Sequence, residues 1–80
     1  MAIRLDKYNY VMWSNRSAAL CGVGNWDKAL TDAERCLKLA PSWGKGFARK
    51  GAALVGLGQG GEALKVYLAG LKVRAPRAEG

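Results

Sequence analysis

Small and apolar residues recur along this chain at a spacing of 34 residues, with glycine-containing segments between them. When segment 10–43 is laid over segment 44–77, nine of the 34 aligned positions are identical. In the first segment these are Ala18, Ala19, Leu20, Gly22, Gly24, Ala29, Leu30, Leu37 and Lys38. A repeat of this length with few β-branched residues predicts pairs of antiparallel helices.

The pattern predicts four helices in an all-α fold. Asn9 and Ser42 are the predicted N-caps of the first and third helices, and Pro41 stops the second. Gly60 stands where the first repeat has Trp26, so we expect the second helix pair to have a looser turn. The predicted helices span residues 10–22, 26–40, 43–57 and 62–74, each boundary being good to about two to four residues.

The 34-residue period, one large aromatic in each unit and small residues where helices cross are typical of tetratricopeptide repeats, which stack into an α-solenoid. We therefore predict a single domain over residues 1–80 with two full repeats, 10–43 and 44–77, preceded by a remnant of another repeat at 1–9 and followed by a tail at 78–80. This arrangement indicates a piece of a longer array. The aromatic and small residues are Trp13, Phe47, Ser17, Ala29, Gly51 and Ala63.

Composition excludes several function classes. No apolar run approaches the length of a membrane span, and the first residues lack a signal-peptide pattern, so we expect a soluble cytoplasmic protein. The chain has no histidine, its six carboxylates form no evident pair, and Cys21 and Cys36 lie in no metal-binding or catalytic spacing. We expect no enzyme, no metal and no cofactor.

Cys36 is predicted to be a buried thiol, about 10 Å along the helix axes from Cys21 and thus too far for a disulfide.

One group of polar residues predicts a binding site. Asn15 occupies the sixth place of one repeat's first helix, and Lys45 and Arg49 occupy the second and sixth places of the next. These helices line the concave groove of stacked repeats, so an amide and two cations converge on a receptor for carboxylates. The alternative interpretation is that these three side chains lie on an ordinary solvent-exposed helix surface and bind no specific ligand. The expected groove floor is small and apolar, although helix packing is an equal use for its members Ala18, Cys21, Ala52 and Val55.

The segments around Asn15 (WSNRSAA) and Lys45 (WGKGFARKGAA) resemble the carboxylate-clamp class of tetratricopeptide domains, most closely those of the Hop/Sti co-chaperone family. The resemblance covers about residues 2–72. It implies binding of the C-terminal Glu-Glu-Val-Asp peptide of seventy- and ninety-kilodalton heat-shock chaperones. Asn15, Lys45 and Arg49 match three of the five clamp positions; the other two, a Lys and an Asn, would come from a preceding repeat.

Other interpretations remain open. A net charge of +7 permits weak nucleic-acid binding, although the basic residues are scattered and form no stripe with aromatic residues. A purely structural repeat that docks on its neighbours is the second alternative. Uncovered apolar flanks predict a homo-oligomer. The expected flanks are Val11, Met12, Trp13 and Leu20 on the first helix and Leu64, Tyr67, Leu68 and Leu71 on the last.

Overall fold

The structure is a computed structural model that describes residues 8–73. Over this range the chain forms four α-helices and no strand: α1 Tyr10–Gly22, α2 Trp26–Leu39, α3 Gly44–Gly56 and α4 Gly60–Val73. Consecutive helices pack on each other, and α1 also contacts α3. The predicted all-α tetratricopeptide architecture is confirmed. The repeat boundaries at 10–43 and 44–77 stay predictions, and most of the proposed remnant and the whole of the tail lie outside the described residues.

The two turns within the helix pairs have the same conformation. Gly24 and Gly58, one period apart, have φ of 79° and 81°, in the left-handed region that glycine adopts without strain. In both turns the residue after the glycine donates its N–H to a leucine carbonyl in the preceding helix at 2.8 Å. The missing aromatic at position 60 therefore does not change how the second turn closes, and the expectation that the second helix pair is looser stays a prediction. Trp26 packs against Gly56 of α3, between the two helix pairs, and it is not needed to close a turn.

The helix ends confirm one predicted cap and correct another. The Asn9 side chain accepts hydrogen bonds from the backbone N–H groups of the second and third residues of α1. Ser42 does not cap α3, because the N–H of Trp43 bonds to the carbonyl of Ala40 and closes a turn over residues 41–42. Trp43 becomes the N-cap, without a side-chain bond. The last helix starts two residues earlier than predicted.

Small side chains allow the helices to approach closely. Ser17 is fully buried and donates its hydroxyl to the carbonyl of Ala29 at 2.7 Å, which joins α1 to α2. At the equivalent crossing, Gly51 of α3 lies under the ring of Tyr67 from α4. The prediction that small residues mark the crossings is confirmed. The fully or nearly fully buried apolar residues are Ala29, Ala33, Cys36, Ala53 and Ala63.

The apolar flanks of the molecule differ from each other. On α1 the prediction of an uncovered flank is wrong for Trp13, which is only 9% exposed. The guanidinium groups of Arg16 and Arg35 lie over its ring at 5.4 and 5.5 Å. Met12 and Leu20 are half-buried, and Val11 is exposed. On α4 the prediction is confirmed: the exposed fractions are 59% for Leu64, 39% for Tyr67, 51% for Leu68 and 59% for Leu71.

None of the four described helices is long and apolar enough to cross a membrane.

Candidate peptide-binding groove

The candidate groove is the surface where α1 and α3 lie side by side. Asn15 is exposed on α1, and Lys45 is exposed in the first turn of α3. Arg49 follows Lys45 by one helical turn and is half-buried. Within the described residues no hydrogen bond joins any two of these three side chains.

Arg49 reaches from α3 to α1. Its Nε donates a hydrogen bond to Oγ of Ser14 at 3.3 Å, and Ser14 is 1% exposed. Because Ser14 directly precedes Asn15, this contact brings the guanidinium to the part of α1 that carries Asn15. The guanidinium has five N–H donors in a planar fork, so four remain for a carboxylate. The sequence pattern did not single out Ser14. The 34-residue period aligns Ser14 with position 48, which directly precedes Arg49.

The groove side chains keep an unneutralised positive charge. In the described part of the chain, carboxylates pair with Arg16, Lys50 and Lys65. Over the same residues neither Lys45 nor Arg49 has a carboxylate within ion-pair distance. Two cations that are close along one helix and lack an acidic partner attract anions.

The predicted floor residues remain accessible. Ala18, Cys21 and Ala52 are half-buried, and Val55 is 54% exposed. Helix packing therefore uses only part of each surface, and the rest can contact an apolar side chain. Burial raises the pKa of the Cys21 thiol, while the positive charge of Arg49 acts in the opposite direction. The floor thus presents a neutral thiol near the cationic residue.

Cys36 lies deeper. It is fully buried, and burial raises its pKa against the opposing effect of Arg49. Both cysteines are free thiols, in agreement with the prediction that they are too far apart for a disulfide. The thiol of Cys36 also contacts the position where a side chain at Gly46 would stand, so a glycine in the first turn of α3 lets that helix approach α2.

An aromatic pair joins the N-terminal ends of α1 and α3. The rings of Tyr10 and Trp43 lie 4.8 Å apart with an interplanar angle of 68°, an edge-to-face contact. Trp43 is two residues before Lys45, so the contact fixes the helix spacing at the end of the groove where Lys45 lies. The repeat pattern gave no sign of this pair, because Asn9 stands at the position equivalent to Trp43.

Comparison with known proteins identifies the fold family. No protein-family model matches the chain. The heat shock protein sti1 homolog of Schizosaccharomyces pombe is 46% identical over 78 residues, which cover 98% of this chain. The Hsp70-Hsp90 organizing protein of Triticum aestivum is 47% identical over 70 residues, or 88% of the chain. The human tetratricopeptide repeat protein 28 is 41% identical over 70 residues.

The chain is a tetratricopeptide-repeat domain. This tetratricopeptide domain is similar to part of the Sti1/Hop co-chaperones over nearly its whole length, as the sequence motifs predicted. It spans a small share of these relatives: 13% of the fission yeast protein, 12% of the wheat protein and 3% of the human one. The similarity therefore concerns one module of larger proteins.

Proposed function

We propose that this domain is the peptide-binding module of a co-chaperone and that Asn15, Lys45 and Arg49 bind the acidic C-terminal peptide of a heat-shock chaperone. The observation that carries the proposal is the contact of Arg49 with Ser14, beside Asn15, in a groove whose cations have no acidic partner among the described residues. The names of the relatives, Hsp70-Hsp90 organizing protein among them, support chaperones as partners. A cytoplasmic location goes with this proposal.

The chemistry of the groove fits a free C-terminus. A terminal aspartate presents a side-chain carboxylate and an α-carboxylate close together, and Arg49 can bind one of them with two parallel N–H groups. Lys45 adds a point charge, and Asn15 adds an amide N–H. The accessible apolar floor beside them can contact the valine that precedes the terminal residue. Binding of this kind needs no catalytic group, so we propose an adaptor and not an enzyme.

The test is calorimetric titration of the 80-residue chain with a peptide that ends in Glu-Glu-Val-Asp, as the free acid and as the C-terminal amide. We expect the free acid to bind at least about tenfold more tightly, because amidation removes one carboxylate. Lys45→Glu should abolish binding, whereas Lys28→Glu, the same charge change at an exposed position of α2, should leave most of it. Equal affinity of Lys45→Glu and the unmodified chain would contradict the assignment.

A second variant tests the contact that the structure adds. Ser14→Ala removes the acceptor of the Arg49 hydrogen bond, and we expect about three- to tenfold weaker peptide binding because the guanidinium is held less firmly. Helical content measured by circular dichroism should not change. If neither the free-acid peptide nor the amidated peptide binds, the domain is a structural repeat. If RNA competes with the free-acid peptide only at low salt, the basic surface is a non-specific site for polyanions.

A further inference from the structure

The exposed side of α2 carries three cations in one line along the helix. Lys28, Arg35 and Lys38 are all exposed, and Thr31, also exposed, lies between them. Residues three, four and seven apart stand on the same side of a helix, so these four positions form one surface, called here the α2 basic face. At a rise of 1.5 Å per residue, Arg35 stands about 10 Å from Lys28 and about 4.5 Å from Lys38 along the axis.

The packing of α2 determines which side is exposed. The helix contacts α1 and α3. Its buried residues are joined to these two neighbours: the carbonyl of Ala29 accepts a hydrogen bond from Ser17 of α1, and the thiol of Cys36 lies beside Gly46 of α3. The α2 basic face is the side that these contacts leave uncovered.

The repeat fold does not require these cations. One period later, the residues equivalent to Lys28 and Arg35 are Glu62 and Ala69, so the second helix pair forms without them. Only the third cation has a basic counterpart. The concentration of three positive charges on one helix face is therefore a feature of the first repeat and not a consequence of the architecture.

The cations of the α2 basic face are not neutralised by the part of the chain that the structure describes. Over residues 8–73 no carboxylate lies within ion-pair distance of Lys28, Arg35 or Lys38. The guanidinium of Arg35 lies over the ring of Trp13 at 5.5 Å. A guanidinium whose flat side meets a ring donates hydrogen bonds through its edge, so this contact orients Arg35 without replacing a carboxylate.

A hollow between these side chains can receive an acidic group. Its volume is about 320 Å³. The hydroxyl of Thr31 donates to the carbonyl of Asp27 at 3.2 Å, so this short side chain stays against the helix and leaves space between the cations. Glu34 would repel an anion at the rim, but Lys50 of α3 lies 3.7 Å from its carboxylate and offsets part of that charge. The residues that line the hollow are Thr31, Glu34, Arg35 and Lys38.

We propose that the α2 basic face binds an acidic segment of a partner protein, whose carboxylates pair with the three cations. Nucleic acid fits less well, because Asp27 and Glu34 are exposed beside the cations and a continuous run of phosphates would lie against them. A protein segment can place its acidic side chains only where the cations are.

The chain itself supplies no suitable occupant. A second copy carries the same net charge of +7, which opposes association through this face. The segments 1–7 and 74–80 each contain two basic residues and one acidic residue, so neither is an acidic segment. The proposed site is also separate from the groove, because its residues lie on α2 and those of the groove lie on α1 and α3.

The experiment titrates two labelled helical peptides into the 80-residue chain at about 0.01 M ionic strength, where charges act over about 30 Å. Both peptides are alanine-based, capped at both ends, and carry three glutamates. In the matched peptide the glutamates follow the seven- and three-residue spacing of the cations, and in the other they are distributed around the helix. Fluorescence anisotropy should show that the matched peptide binds at least about threefold more tightly, with an affinity that falls as salt is added.

Variants locate the binding on α2. Lys28→Glu/Lys38→Glu should weaken binding of the matched peptide at least about tenfold, because two attractive contacts become repulsive. Lys65→Glu/Lys72→Glu makes the same charge change at exposed positions of α4 and should weaken it less than about threefold, as should Lys45→Glu in the groove. If circular dichroism shows that the charge reversal on α2 prevents folding, Lys28→Gln/Lys38→Gln should still weaken binding at least about threefold.

Several outcomes would overturn the proposal. Equal binding of both peptides, no binding of either, or equal losses in the α2 and α4 variants would mean that the chain attracts anions only through its net charge. Single-stranded RNA that binds more tightly than the matched peptide, and depends on the same two lysines, would make the face a site for a phosphate backbone. The capped peptides lack a terminal carboxylate, so failure of the peptide-clamp proposal would not affect this test.

Discussion

Arg16 stands where the general repeat pattern has leucine, and its two contacts explain the substitution. Its Nε donates to the carboxylate of Asp32 at 2.8 Å, and its guanidinium covers the ring of Trp13. Asp32 is 3% exposed, and a carboxylate so far from water is costly unless a cation and hydrogen bonds compensate it. Arg16 thus neutralises a buried charge and shields an aromatic ring from solvent.

The Arg16 contacts predict a clear stability difference. Arg16→Ala leaves Asp32 buried without its cation, and we expect the free energy of unfolding to fall by about 1 to 3 kcal/mol, less than for a fully buried pair because Arg16 itself is half exposed. Lys50, at the equivalent position of the second repeat, pairs loosely with Glu34 at 3.7 Å. Lys50→Ala should cost less than about 1 kcal/mol. Urea denaturation of both variants decides the point, and equal losses would count against it.

At the scale of helices, two equivalent glycines have opposite surroundings. Gly22 and Gly56 end α1 and α3 at the same position of the repeat. A side chain at Gly56 would overlap the ring of Trp26, whereas nothing lies within 4 Å of the corresponding position at Gly22. The glycine at 56 is therefore required by packing between the two helix pairs, and the one at 22 is not.

Alanine substitutions separate these two roles. Gly56→Ala forces Trp26 out of its place, and we expect a loss of about 1 to 3 kcal/mol in the free energy of unfolding. Gly22→Ala meets free space in a helix, so it should be neutral or stabilise by up to about 1 kcal/mol. Thermal melting followed by circular dichroism measures both. A lower melting temperature for Gly22→Ala than for Gly56→Ala would refute this account of the packing.

The sequence predicted what depends on local pattern, and the structure added what depends on contacts between helices. The 34-residue period was sufficient for the four helices, the glycine turns and the Asn9 cap, because these follow from spacing and backbone preference. The burial of Trp13 and the bond between Arg49 and Ser14 depend on long side chains that reach neighbouring helices, which periodicity does not encode. Ser42 failed as a cap because a backbone turn competed for the same residues.

The whole molecule responds to alkaline pH through its two thiols. Burial raises the pKa of Cys21 and Cys36, so the folded chain holds these protons to higher pH than the unfolded chain does. Their stabilising effect is therefore present below the ordinary thiol pKa and is lost as the pH rises through the raised values. We expect the free energy of unfolding to fall as the pH rises above the ordinary thiol pKa of about 8.5, and to fall less steeply in Cys21→Ala/Cys36→Ala.

Thiol labelling gives a second measurement of the same feature. Cys21 is half-buried and Cys36 is fully buried, so Ellman's reagent at neutral pH should react first with Cys21 and reach Cys36 only as the chain unfolds. Equal labelling rates in the folded chain would contradict the packing around Cys36.

The ion pair between Arg16 and Asp32 has a consequence for folding fidelity. A chain made of two similar halves can misassemble by placing one helix in the slot of its counterpart, within one molecule or between two. The position equivalent to Asp32 is Val66, so α1 packed on α4 would set the Arg16 guanidinium against an aliphatic side chain and leave Asp32 without its cation. A mispaired product lacks this contact. The sequence difference between the two repeats therefore favours packing of α1 on α2 during folding.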